Sequence, residues 1–399
     1  MLKPKKIRSD FPVLQRRKIV YFDNACTTLR PKQVLDAVSW YYQNSGACAE
    51  RSMHALGIEL TERLCRARES ILRYFRADDS YCIIFTKNAT EAINIVANSY
   101  AFGKNKKVIL SDREHNSNLV PWLAQKKRKV SVSVVPSKKD FEFDISAFVK
   151  FVSKGAGLMS VVHISNIDGY ELPVEEIISV AHDEEIPVML DAAQSALHKR
   201  PNVSKLDADF LAFSGHKMCG PSIGGLICKK EFLCKLSPLV FGGGAVEEAK
   251  ESSYKLKQGH AGFEAGLQDY AGIIGLEAAC QYIEKIGHKN IESYERKLDK
   301  ELTSGLLGIK GVKFVGVSEP TKKIAIANFC VEGLSSADVA IMLDELYGIA
   351  VRSGMHCAHN WYRRNNLQPS VRASLCFYNT KEEVELFLEA VGKTASIKK

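Results

Sequence analysis

Phe210-Leu-Ala-Phe-Ser-Gly-His-Lys217 is an apolar run that stops at two small residues and then offers two basic ones. It reads as a strand, Phe210–Phe213, that delivers a lysine at its end. Upstream, Val188-Met-Leu-Asp-Ala-Ala-Gln194 has the same form, with Val188–Leu190 as the strand and Asp191 closing it. Working outward, Tyr81–Phe85, Lys107–Leu110, Leu158–Ser165 and Gly225–Cys228 are further apolar, strand-like runs. Between them lie segments with apolar residues at helical spacing. In Glu91–Tyr100, for example, Ile93, Val96 and Ala97 share one helix face. Strands alternating with helices predict an α/β fold built on a mostly parallel sheet covered by helices.

The last third changes pattern. Ile324–Val331 alternates like a strand, and Ser335 to Tyr347 reads as a helix with an N-cap serine and Gly348 at its stop. Ile349–Arg352 reads as a strand and Lys381–Val391 as a closing helix. This is the pattern of a smaller α+β domain. A chain of 399 residues is long for a single core, so two domains are expected. The change of pattern places the boundary near residue 275, with residues 20–275 as the large domain and 1–19 with 276–399 as the small one.

Composition narrows the class. No apolar run approaches the roughly 20 residues that span a bilayer. The basic start, Met1 to Asp10, has no apolar stretch behind it and so is not a secretory signal. The expected location is the cytoplasm, with no membrane. The net charge of +9 is spread along the chain, with denser patches at 104–107 and 126–129. These read as a solvated surface or as a docking face for an acidic partner. RNA is the other partner such a face could take, although no aromatic RNA-binding motif accompanies the patches. Eleven scattered cysteines argue for reduced thiols rather than a disulfide framework. Cys65, Cys228 and Cys330 are expected in the core, as free cysteine is among the most buried residue types.

Four stretches and one arginine carry candidate chemistry, each with a plain alternative. Lys217, following a strand end beside small residues, suits a buried amine with a lowered pKa that forms an imine with an aldehyde cofactor; a surface turn explains the same residues. A carboxylate at a buried strand end needs a cationic partner, and the pyridinium of pyridoxal phosphate (PLP) would be one for Asp191; a helix N-cap is the alternative. Thr86-Lys-Asn-Ala-Thr-Glu91 joins a strand to a helix, where backbone N–H groups and the Thr90 hydroxyl suit a phosphate or simply cap the helix. In Val351-Arg-Ser-Gly-Met-His-Cys357-Ala, glycine loosens the loop and His356 stands ready to lower the thiol pKa, although a lone loop cysteine is usually inert. Arg372 could clamp a carboxylate or lie on the surface.

Taken together, these residues resemble the cysteine desulfurases of the class V aminotransferase family, in particular the group II, SUF-type branch. The resemblance runs from Tyr21–Ala25 through Thr86–Glu91, Glu114–Asn116, Ser165-Asn166, Asp191–Gln194, Ser214–Lys217, Phe263–Gly266 and Arg352–Ala358 to Arg372–Thr380. It implies a PLP-dependent transferase of fold type I, with a seven-stranded, mostly parallel sheet in the large domain and the cysteine loop in the small one. It implies that Lys217 is the Schiff-base lysine, that His115 stacks on the ring, and that Asp191 and Gln194 meet the pyridine nitrogen and phenolic oxygen. Thr90, Ser214 and His216 would hold the phosphate, and Asn166 and Arg372 the substrate carboxylate. Cys357 would take the sulfur of L-cysteine as a persulfide, leaving alanine, for delivery to an iron–sulfur scaffold or other acceptor. A homodimer is implied as well. The alternatives are a selenocysteine lyase, a plain class V aminotransferase or lyase, and a sulfur-relay or scaffold protein with weak catalysis.

The chain departs from that pattern at four positions. Leu267 stands where relatives commonly have a threonine that reaches the partner's phosphate, and Ala89 lacks the hydroxyl of a second threonine. Cys26 and Cys48 lie in segments that the family places near the active-site entrance. They are expected to relay sulfur, to bind a metal or cluster together, or to pack as small thiols. No other metal site is expected.

Overall fold

The computed structural model describes residues 2–397. Its large sheet contains β1 (Tyr81–Thr86), β2 (Lys107–Ser111), β3 (Ser131–Val135), β4 (Leu158–Val162), β5 (Val188–Asp191), β6 (Phe210–Ser214) and β7 (Gly224–Lys229). The strand order is β1-β7-β6-β5-β4-β2-β3. Only β7 opposes the common direction, pairing antiparallel with both β1 and β6. All residues of β1, β4, β5 and β6 are buried, which is why they read as continuous apolar runs. β3 escaped the sequence reading: it is an edge strand with a half-buried, alternating Ser-Val pattern. β4 is also shorter than expected, because the chain leaves the sheet after Val162 to enter the site.

The helices that matter for the site are α1 (Lys32–Trp40), α2 (Ala55–Tyr74), α3 (Ala89–Ser99), α4 (Asn116–Leu123), α5 (Tyr270–Ile286), α6 (His288–Gly308), α7 (Ser336–Tyr347), α8 (His359–Arg364) and α9 (Lys381–Ala395). Among them α7 matches its sequence reading, with Ser335 accepting from the Asp338 N–H and Gly348 in the left-handed region. The start of α3 is set two residues earlier than its apolar pattern suggested: the side chain of Asn88, not Thr90, caps it by accepting from the Glu91 N–H. β7 passes close beneath this turn. A Cβ on Gly224 would lie 2.6 Å from the Asn88 Cα, so only glycine fits there.

A second, antiparallel sheet contains β8 (Val312–Phe314), β9 (Ile326–Val331), β10 (Arg352–Gly354) and β11 (Ser370–Ser374), in the order β8-β9-β11-β10. The expected strand at Ile349–Arg352 is two strands broken at Val351. Ile349–Ala350 pairs with Val20–Tyr21, and β10 turns away to pair with β11. Val20 and Phe22 consequently join the smaller core, with Leu298, Phe329 and Phe387. Residue 275 falls inside α5, and the left-handed Gly287 separates that helix from α6.

Of the cysteines expected in the core, Cys228 is buried, Cys330 is half-buried and Cys65 is exposed. The buried face of α2 runs through Leu60, Ala67, Ile71 and Tyr74, and Cys65 points off that face. Cys330 meets Lys313 on the short edge strand β8, which leaves it partly uncovered. Among the described residues no helix is long and apolar enough to cross a membrane.

Candidate functional site

The C-terminal ends of β4, β5 and β6 open into a cavity of about 220 Å³, the place where open α/β sheets hold ligands. Its lining includes Lys217, Asp191, Gln194, Ser214, His216, Ala89, Thr90, His115, Asn166, Arg372, Cys357 and Cys26. These are all the residues expected from sequence except Cys48. The lining also includes Arg352 and Ser117, which the sequence reading passed over.

Each side chain is placed by the element that carries it. Lys217 follows β6 on a single helical turn, and Asp191 ends β5. Burial lowers the Lys217 pKa; Asp191 opposes that shift, while Arg372 adds to it. Burial raises the Asp191 pKa, with the Ala193 N–H and Lys217 opposing it. Asp191 Oδ1 accepts from the Ala193 N–H at 2.9 Å, and no helix is capped by it. Gln194 Nε2 donates to the Ala25 carbonyl at 2.8 Å. The Ala89 N–H donates to Ser214 Oγ at 2.9 Å, while Thr90 Oγ1 lies 2.8 Å from Ser117 Oγ. Two helix starts, those of α3 and α4, therefore meet on one wall, and both present the positive end of a dipole to it.

His115 caps α4, its Nδ1 accepting from the Ser117 N–H at 3.0 Å. Burial pushes its pKa down to about 3, with Lys217 and Arg372 adding to the shift. The ring is therefore neutral at pH 7 and carries its proton on Nε2. Burial likewise takes His216 to about 4.

The preceding residue, Glu114, is wholly enclosed. It accepts from Ser111 Oγ, Asn118 Nδ2 and the Val162 N–H. Burial nevertheless raises its pKa to about 8 from 4.5. The native state thus holds a proton that the unfolded chain releases. The stability this provides is present below the unfolded pKa and is lost as pH rises towards about 8. Wild type is expected to lose stability relative to Glu114→Gln between about pH 5.5 and about pH 8.5, by at most about 1.4 kcal/mol per pH unit. Urea unfolding of both proteins across that range checks it, and parallel profiles would contradict it.

The cysteine loop is held from outside. His356 and Cys357 both have positive φ, 50° and 57°, which is strained for residues with a Cβ. Two asparagines pin this backbone: Asn166 Nδ2 donates to the His356 carbonyl, and the Asn116 N–H donates to that of Cys357, both at 2.7 Å. Asn116 Nδ2 also lies 2.9 Å from His359 Nδ1, tying the loop to α8. His356 does not serve the thiol as expected. Its side chain is turned into the core, where Nε2 lies 3.2 Å from Ser370 Oγ. Burial takes its pKa to about 2, so it supplies no positive charge at neutral pH.

Arg372, buried on β11, donates from Nη1 to the Asn166 carbonyl at 2.9 Å and from Nη2 to Asp23 Oδ1 at 3.3 Å. Its Nε, and Oδ1 of Asn166, are buried without a hydrogen-bond partner. An unused donor and an unused acceptor on one cavity wall are what a zwitterionic ligand would satisfy.

The Aminotransferase class-V family pattern matches residues 20–387. The chain belongs to this family. A probable cysteine desulfurase of Pyrococcus abyssi is 39% identical over 96% of this chain and 96% of its own length. A probable cysteine desulfurase of Synechocystis is 38% identical over 97% of this chain and 94% of its own. Among solved structures, the apo cysteine desulfurase of Thermococcus onnurineus NA1 superposes with a TM-score of 0.94 at 37% identity, covering 99% of this chain and 98% of that one.

The structure separates the two unusual cysteines. Cys26 lines the cavity, where Arg352 Nη1 lies 2.8 Å from its Sγ. Cys48 lies outside that lining, with its Sγ 3.7 Å from the Ala49 carbonyl and beside Tyr270. Among the described residues no group of three or more His, Cys, Asp or Glu side chains is arranged to hold a metal ion. Leu267 is exposed, on the loop before α5.

Proposed function

We propose that this protein is a PLP-dependent cysteine desulfurase of the SUF-type branch, converting L-cysteine to L-alanine and retaining the sulfur on Cys357 as a persulfide. One observation carries the reading: a lysine with a lowered pKa, a strand-end carboxylate and a loop cysteine line the same cavity. The desulfurase relatives, alike over nearly their full length, support it. The residues fit the cofactor. Lys217 would anchor it, Asp191 would face its pyridine nitrogen, Gln194 its phenolic oxygen and His115 its ring. Ser214, His216 and the α3 start at Ala89 and Thr90 would take its phosphate.

When bound, PLP supplies an aldehyde for the lysine and an electron sink for bonds at the substrate α-carbon. The chain's own groups do the rest. Arg372, with its free Nε, and Asn166 orient the amino-acid head group, and Arg372 does so with a charged fork that a carboxylate matches. Lys217 Nζ, whose lowered pKa leaves more of it neutral, removes the α-proton and later returns one to the β-carbon. The Cys357 thiolate attacks the substrate sulfur. A sulfur–sulfur bond forms as the carbon–sulfur bond breaks, the electron pair stays on carbon, and alanine leaves once the β-carbon has taken a proton and the α-carbon has regained the one it lost. The pinned backbone of His356 and Cys357 sets the direction of approach before substrate arrives.

The sulfur would then pass to an acceptor of the iron–sulfur scaffold or sulfur-shuttle kind. We further propose a cytoplasmic homodimer, in which the exposed Leu267 approaches the partner without the hydroxyl contact a threonine would make. The test is to load the purified protein with PLP and measure alanine and sulfide from L-cysteine under a thiol reductant. The expected result is equimolar release; loaded protein that forms no alanine would overturn the reading. A selenocysteine series run alongside decides the selenium alternative, which gains only if its kcat/KM exceeds that for cysteine.

A further inference from the structure

Arg352 and Arg372 are register partners on β10 and β11, so two like charges stand side by side. On adjacent strands that is destabilising unless acceptors answer both. The turn after Phe22 supplies them. Asp23 Oδ1 takes Arg372 Nη2 at 3.3 Å, and Cys26 Sγ takes Arg352 Nη1 at 2.8 Å. One guanidinium therefore meets a carboxylate and the other meets a sulfur at the equivalent place. Cys26 also lines the cavity with Cys357 and Lys217, half-buried rather than sealed into the core. Arg372 and Asn166, whose Nε and Oδ1 are buried without a hydrogen-bond partner, line it too.

We propose that Cys26 is a second sulfur-carrying nucleophile, taking the outer sulfur of the Cys357 persulfide within the same cavity; this rests on the desulfurase reading. The Cys26 thiolate attacks the outer sulfur. A new sulfur–sulfur bond forms at Cys26 as the bond at Cys357 breaks, and the Cys357 thiolate leaves with the electron pair. The terminal proton travels with the transferred sulfur, and no oxidant or reductant is consumed. Arg352 holds the attacking sulfur in place. Cys357 is thereby freed for another L-cysteine while the first sulfur is stored on Cys26, whose own Sγ lies 2.8 Å from the Arg352 guanidinium.

The experiment is a rapid-quench burst on the PLP-loaded protein with isotope-labelled L-cysteine and no added reductant, followed by alkylation and peptide mass spectrometry. Wild type is expected to release about two alanines per subunit before stalling and to carry labelled sulfur on the Cys26 peptide, since exchange regenerates Cys357. Cys26→Ala and Cys26→Ser are expected to stop at about one. In Cys357→Ala the Cys26 peptide should carry no label. Wild-type label confined to the Cys357 peptide, or a wild-type burst of about one, overturns the proposal. No alanine from wild type at all would instead remove the desulfurase reading, and this proposal with it.

Discussion

Lys217→Ala is expected to lower alanine formation from L-cysteine by at least about a thousandfold, because one side chain carries both the anchor and the proton transfer. Burial depresses the amine's pKa, and the nearby Asp191 and Arg372 pull it in opposite directions. Alanine has neither the nucleophile nor the base, and among the described residues no other lysine lines the cavity. Lys217→Arg should do no better, as a guanidinium stays protonated and cannot act as a base at neutral pH. The check is alanine yield per loaded subunit, with far-UV circular dichroism to confirm the fold. A Lys217→Ala rate within about tenfold of wild type would remove Lys217 from the chemistry.

Cys357→Ala is expected to cost about 100-fold or more in alanine formation while leaving cofactor absorbance in place. The two readouts part because of position. Cys357 rides on the loop after β10, held by the Asn116 N–H, whereas Lys217, Asp191 and Ser214 come from the ends of the large-sheet strands. Removing the thiol should therefore spare the cofactor pocket and delete the group that accepts sulfur. Mass spectrometry of wild type after substrate should show one added sulfur on the Cys357 peptide when the outer sulfur has not moved on. A variant that keeps full alanine output would mean that sulfur leaves without attack by this residue.

Local segments carried much of what was legible. β5 and β6 are contiguous apolar runs, and the residues at their ends, Asp191 and Lys217, follow from chain order alone. The α7 cap and its left-handed stop are also readable, since Ser335, Asp338 and Gly348 lie within one short segment. β3 was missed because an edge strand with one half-wet face gives a weak signal. Cys65 was misassigned because composition says that free cysteine is usually buried, while helix phase decides which face it occupies.

By itself, the sequence determined the α/β class, the strand-end lysine and carboxylate, and the glycine-containing loop that bears Cys357, because each is written in a few adjacent residues. Only the tertiary structure decided what those groups face. His356, next to Cys357, turns into the core towards Ser370, whereas Asn116 and Asn166, far away in the chain, hold the loop. Arg352 reaches Cys26 across 326 positions, and Arg372 reaches Asp23 across 349. Such pairings are set by strand register and by the turn packed against it. Side-chain direction and charge partners are properties of the packed sheet, and no local spacing encodes them.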